Sequence, residues 1–281
     1  MPSVARSSKT DCGSNMKYSF KLGIPAVSAL AACVLWLAAA QASAAEVVVA
    51  AASDLNFAFK EVITQFERQT GTEVRLTLGS SGNLFSQIQN GAPFDLYFSA
   101  DIRYPQKLEQ SGHGVPASLY QYAVGRIVVW TRKQSALAVE SRGMEVLLDP
   151  SIRRIAIANP KHAPYGRAAE AALKHFQVYE PVRAKLVLGE NISQAAQFVE
   201  SGAADVGIIA LSLALAPAMT DLGRFWMVPA EAHPPLEQGA VLLKNGANQD
   251  AARAFLEFIK GTEGRDIMRR NGFVVPGDKA P

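Results

Sequence analysis

Short apolar runs alternate with segments of helical period along most of this chain. Val47 to Ala52 is an unbroken apolar run of strand length, and Asn56 to Gln69 follows with Phe57, Val62, Ile63 and Phe66 at helical spacing. The scheme repeats in Glu73–Leu78 and Asn83–Gln89, then in Asp95–Ser99 and Arg103–Gln110. Beyond the turn-rich Ser111-Gly112-His113-Gly114, a strand over Arg126–Trp130 opens a second series. That series runs strand Arg153–Ala158, helix Arg167–Phe176, strand Lys185–Leu188, helix Ser193–Glu200 and strand Asp205–Ile209. His233-Pro234-Pro235 then breaks the pattern, and a strand over Gly239–Leu243 precedes two helices, Gln249–Lys260 and Glu263–Arg270. Such alternation predicts an α/β protein with largely parallel sheets. No Pro/Gly/Ser-rich tether separates the two series, so the pattern predicts two lobes joined by short crossings. The first lobe takes residues 45–123 and 238–281, and the second takes 124–237.

The first 44 residues read differently. Lys17 and Lys21 precede an apolar stretch from Leu22 to about Ala40, which ends in Ala42-Ser43-Ala44, a small-x-small cleavage pattern. The expectation is a cleaved signal peptide, with Met16 opening a leader of more usual proportions than Met1. Leu30-Ala31-Ala32-Cys33 resembles a lipoprotein box, but apolar sequence continues past Cys33, so processing after Ala44 is the expectation.

Composition sharpens this picture through the leader. The chain has 281 residues, 19% of them charged, with a formal net charge of +3. Taking the leader's four Lys/Arg from 28 and its single Asp from 25 leaves 24 of each sign, so the mature chain is formally neutral. The basic footprint of a nucleic-acid binder is missing. Both cysteines, Cys12 and Cys33, lie in the leader, so the mature chain carries no disulfide and no thiolate chemistry.

Three loops share one chemical character: Ala51-Ala52-Ser53-Asp54, Gly79-Ser80-Ser81-Gly82, and Asn159 to Gly166. Each follows a predicted strand and leads into a predicted helix, where unpaired N–H groups and the helix dipole favour an anion. Loops at the carboxyl ends of strands converge on a crevice. A single serine in such a place also serves as a helix N-cap. Asp54 suits the first helical turn but repels an anion, so its side chain is expected to point away while its N–H faces the site.

Enzyme signatures are scarce. Asn83 stands where G-x-S-x-G around Ser81 needs its last glycine, and neither a P-loop nor H-E-x-x-H nor G-x-G-x-x-G occurs. The four histidines are scattered away from metal-ligand spacing. Three classes stay open on the residues alone: an oxyanion-binding protein, a sensor or binder for sulfate or phosphate, and a secreted hydrolase pairing Ser81 with His162.

Several blocks together resemble one family. Val48–Phe57 (VVAAASDLNF), Gly79–Asp101 (GSSGNLFSQIQNGAPFDLYFSAD), Asn159–Gly166 (NPKHAPYG), Gly189–Val199 (GENISQAAQFV), Asp205–Ile208 and Asn271-Gly272-Phe273 are similar to the periplasmic molybdate-binding proteins of ABC importers. The resemblance implies a two-lobed type II periplasmic binding protein whose cleft closes on molybdate or tungstate. It implies no enzyme activity and no cofactor, a monomer in the periplasm, and an inner-membrane ABC permease as partner. By the same resemblance the ligand set is Ser53, Ser81, Tyr165 and Ile192, the last through its backbone N–H, with Asp54 and Gly82 as additional backbone donors. Molybdenum is then held only as its oxyanion. Ala210 stands where some members carry a tyrosine, while Tyr165 stands where those members carry alanine. The expectation is that the Tyr165 phenol replaces the missing one as a donor to the anion.

Overall fold

The computed structural model describes residues 46–278. The expectations for the leader, including cleavage after Ala44 and the state of Cys33, lie outside the described residues. Among the described residues, ten strands form two five-stranded sheets with helices packed on them.

The first sheet has the order β2-β1-β3-β10-β4, with β1 Glu46–Ala52, β2 Glu73–Gly79, β3 Leu96–Ser99, β4 Tyr120–Gly125 and β10 Leu236–Leu242. The second has the order β7-β6-β8-β5-β9, with β5 Ile127–Arg132, β6 Ile155–Ala158, β7 Leu186–Gly189, β8 Val206–Ala210 and β9 Gly223–Met227. The chain passes between the sheets at Gly125/Arg126 and again between Met227 and Leu236.

The sheets are mixed rather than largely parallel. β1 pairs in parallel with β2 and β3, as β6 does with β7 and β8. The four strands that flank the two crossings run against their neighbours: β10 is antiparallel to β3 and β4, and β5 to β8 and β9. A chain leaving one sheet to enter the other arrives from the crevice side, which reverses its direction.

β1, flanked by β2 and β3, is covered on both faces, which is why it reads as an unbroken apolar run. Phe59 and Phe255 meet Phe98 edge-on beneath the first sheet, and Phe66 meets Phe255, with centroids 4.9 Å apart for Phe59–Phe98 and 5.0 Å for Phe66–Phe255. Val128, Trp130, Ile155 and Ile208 anchor the core of the second sheet. Ala52 and Ala100, at the carboxyl ends of β1 and β3, are buried in that second core. The first sheet therefore meets the second at its strand ends, where the loops lie. No helix among the described residues is long and apolar enough to cross a membrane.

Candidate functional site

Loops after β1, β2, β6 and β7 line one small cavity between the sheets. Ala52, Ser53, Asp54, Gly79, Ser80, Ser81, Ala100, Ala163, Pro164, Tyr165 and Ile192 form its wall. Its free volume is about 10 Å³, far below the roughly 300 Å³ at which pockets for organic ligands begin. Neither lysine nor arginine lines it.

The hydroxyls in this wall are oriented by what they accept. Ser53 Oγ accepts the Ser193 N–H at 3.3 Å, and Ser81 Oγ accepts the Ala100 N–H at 3.0 Å. A hydroxyl that accepts a backbone N–H keeps its own proton to give. Further bonds fix the backbone of both serines: Ser193 Oγ donates to the Ser53 carbonyl at 2.8 Å, and the Tyr97 hydroxyl to the Ser81 carbonyl at 2.7 Å. Both serines are almost fully buried, at 3% and 1% exposure.

Two helices add N–H groups. Ile192 is the first residue of the Ile192–Glu200 helix, whose N-cap Asn191 accepts the Gln194 N–H at 3.0 Å. Tyr165 is the second residue of the Pro164–His175 helix, after a proline that has no N–H to give. At these positions no intrahelical carbonyl is in reach, so both amides remain donors at the positive end of a helix dipole.

The Tyr165 phenol does something other than the sequence predicts. Its proton goes to Asp54 Oδ2 at 2.9 Å, while Gln238 Nε2 donates to its oxygen at 2.9 Å and to Asp54 Oδ2 at 2.8 Å. In this structure the phenol's one proton is committed to Asp54, and Tyr165 lines the cavity from the first turn of its helix. Ala210 itself is fully buried at the end of β8.

Asp54 is thus turned toward the crossing between the lobes. It is 1% exposed, and its Oδ1 has no hydrogen-bond partner among the described residues. Desolvation pushes its carboxyl up to about 6 despite the hydrogen bonds from Gln238 and Tyr165. Burial, followed by the Asp54 charge, pushes the Tyr165 phenol well above its ordinary value, so it stays a donor.

Gly82 is engaged across the cleft. Its N–H donates to the His162 carbonyl at 2.9 Å, and it does not line the cavity. A Cβ there would lie 2.7 Å from that carbonyl oxygen, so the close approach requires glycine. His162 in turn meets Ser80, not Ser81: Ser80 Oγ and His162 Nδ1 are 2.8 Å apart. The base that a Ser81 hydrolase needs is therefore on a different serine.

A larger crevice adjoins the cavity, sharing Ala100 and Pro164 with it. Arg167 Nη2 donates to Asp101 Oδ2 at 2.7 Å across it, and Arg103 pairs with the same carboxylate. Burial raises the Asp101 carboxyl, but the bonds and charges of Arg103 and Arg167 outweigh that and hold it below its ordinary value. Both arginines of the crevice are tied to this one carboxylate.

Sequence reasoning did not single out Gln238, Ser193, Ser212 or Ala100. Ser212 Oγ donates to the Asp54 carbonyl at 2.8 Å, completing the set of bonds that span the sheets around the first loop. Gln238 sits beside Glu237 at the polar start of its strand and so carried no distinct signal, and the Ala100 N–H offered none.

Known proteins share this fold and sequence. The family model described as bacterial extracellular solute-binding protein matches residues 47–274. The molybdate-binding protein ModA of Azotobacter vinelandii is 39% identical over 237 residues, covering 84% of this chain and 93% of that protein. ModA of Rhodobacter capsulatus is 40% identical over 234 residues, covering 83% and 90%. Among solved structures, the Azotobacter vinelandii periplasmic molybdate-binding protein superposes with a TM-score of 0.77 at 35% identity, over 82% of this chain and 99% of that one. The chain therefore belongs to the bacterial extracellular solute-binding proteins and has the type II periplasmic binding protein fold.

Proposed function

We propose that this protein captures molybdate and tungstate in the periplasm, as fully deprotonated tetrahedral dianions, and delivers them to an inner-membrane ABC permease. The observation that carries this reading is the convergence of two buried, pre-oriented hydroxyls, Ser53 and Ser81, with the amide ends of two helices on one small cavity that no cation lines. Every such group donates. A dianion with no proton only accepts, so each of its oxygens finds a partner, whereas a protonated oxyanion brings an O–H that meets other donors. Membership in a solute-binding family and the similarity to molybdate-binding relatives support the cargo and its delivery.

Discrimination against sulfate, which is equally deprotonated, falls to cavity size, and tungstate, nearly isosteric with molybdate, binds comparably. One atom favours a second reading: the unpartnered Asp54 Oδ1 is an acceptor, which hydrogen phosphate would need. Calorimetric titration with the four anions decides. Molybdate and tungstate are expected to bind with similar affinity, and sulfate and phosphate far more weakly. Sulfate binding as tightly as molybdate, or phosphate binding that Asp54→Asn abolishes, would overturn the assignment.

A further inference from the structure

Ser80 is the N-cap of the Ser81–Gln89 helix, yet its side chain makes no cap hydrogen bond. His162, from the other side of the cleft, has taken over both partners: its ring faces the Ser80 hydroxyl, and its carbonyl accepts the Gly82 N–H that a capping serine would accept. Ser80 is 4% exposed and lines the anion cavity, so its hydroxyl has two places to send one proton.

The histidine decides which. Its Nε2 lies 3.9 Å from Glu190 Oε2, and Asn83 Nδ2 donates to the other oxygen of that carboxylate. A carboxylate on that side favours a proton on Nε2. In the neutral ring Nδ1 is then an acceptor and takes the Ser80 proton, leaving Ser80 lone pairs toward the cavity and toward any oxyanion in it. In the imidazolium both nitrogens donate. Nδ1–H then donates to Ser80 Oγ, and the Ser80 hydroxyl proton is free to point at the anion.

We propose that His162 sets the number of donors in the anion site: a proton taken from solvent onto Nδ1 converts Ser80 from a lone-pair neighbour into a third hydroxyl donor, so the protein takes up a proton as it takes its dianion. The inference rests on the oxyanion reading above. The groups facing the ring are Ser80 and Gly82 from the Ser81–Gln89 helix and Glu190 from the loop before Ile192, while Lys161, next in the chain, is exposed. His162 acts through Ser80 and is a positioning residue.

Calorimetric titration with molybdate in two buffers of unlike ionisation enthalpy counts the protons taken up. With the titrations run at several pH values between about 5 and 8, net uptake is expected in the wild type and none in His162→Ala. Wild-type affinity should tighten about tenfold or more from the upper to the lower end of that interval, the worth of a charge-assisted hydrogen bond. Ser80→Ala should lose most of that gain, which keeps the test decisive if His162→Ala does not fold. Asp54→Asn, titrated in parallel, separates the other ionisable group at the cavity. Molybdate binding without proton uptake, or uptake that persists in His162→Ala and vanishes in Asp54→Asn, would overturn the inference alone. Absence of molybdate binding at every pH would bring down the oxyanion reading with it.

Discussion

A serine hydroxyl next to an oxyanion is useful only if its proton is free, and that depends on a neighbour. Ser81 Oγ is occupied by the Ala100 N–H, so its proton faces the cavity. Ser81→Ala removes this donor, and molybdate affinity is expected to fall roughly 10- to 100-fold, as for other hydrogen bonds to charged groups; a change within twofold in a titration would contradict the assignment. Tyr165→Phe separates phenol from backbone. It is expected to leave affinity close to wild type while lowering the melting temperature, because Asp54 loses one of its two donors. A loss of affinity as large as that of Ser81→Ala would show the phenol to be a ligand donor after all. Asp54 also predicts a pH dependence of stability. Its folded-state value, raised to about 6 from 3.8, means its contribution is fully present below the unfolded value and is lost as pH rises through about 6. The full effect is on the order of 3 kcal/mol. Thermal melts near pH 5 and pH 8 should differ less in Asp54→Asn than in the wild type, and an unchanged difference would contradict the burial cost.

The elements that build the site were readable in proportion to how much apolar surface they bury. β1 and the helix over Asn56–Thr70 declare themselves, since a strand covered on both faces is apolar throughout and its helix has one apolar face, while β2 shows the apolar/polar alternation of Val74, Leu76 and Leu78. β4 and β9 were not predicted. Both are edge strands, and Tyr120-Gln121 in the one and Gly223-Arg224 in the other leave no clear alternation. Helix starts were read late at Ser81 and Pro164, because Ser, Gly and Pro read as loop when they are in fact the first turn. The candidate residues were visible as types and as a family resemblance. The direction of the Tyr165 phenol and the loss of Gly82 to His162 depend on contacts between distant segments, which local pattern does not carry. Gly125, where β4 ends and the chain crosses, shows the same coupling. A Cβ there would lie 2.3 Å from the Tyr165 hydroxyl and 2.6 Å from Gln238 Nε2. Gly125→Ala should therefore cost about 1–3 kcal/mol of stability through overpacking, read as a melting temperature lower by roughly 2–10 °C; an unchanged melt would mean that the crossing has room to give.

Across the whole molecule, closure of the two sheets around the cavity is supported by bonds that need no ligand: Ser193 to Ser53, Ser212 to Asp54, Tyr165 to Asp54, Gly82 to His162 and Arg167 to Asp101. Capture of an anion then adds contacts from both sides, and closure is favoured by as much as those contacts differ between open and closed states. The Arg167–Asp101 pair lies outside the anion cavity, so Asp101→Asn acts on closure rather than on contact with the ligand. Since Arg167 is a third exposed, the change is expected to weaken molybdate binding by no more than about fivefold, with small-angle scattering of the ligand-free protein shifting toward a larger radius; an affinity loss without that shift would assign Asp101 to the ligand itself. The account stands most directly on where the anion sits. A crystal structure grown with molybdate, with the metal located by anomalous scattering, is predicted to show one molybdenum peak in the cavity, its oxygens receiving the Ser53 and Ser81 hydroxyls and the Tyr165 and Ile192 amides. A peak in the adjoining crevice against Arg103 and Arg167, or an anion that draws the Tyr165 phenol away from Asp54, would contradict it.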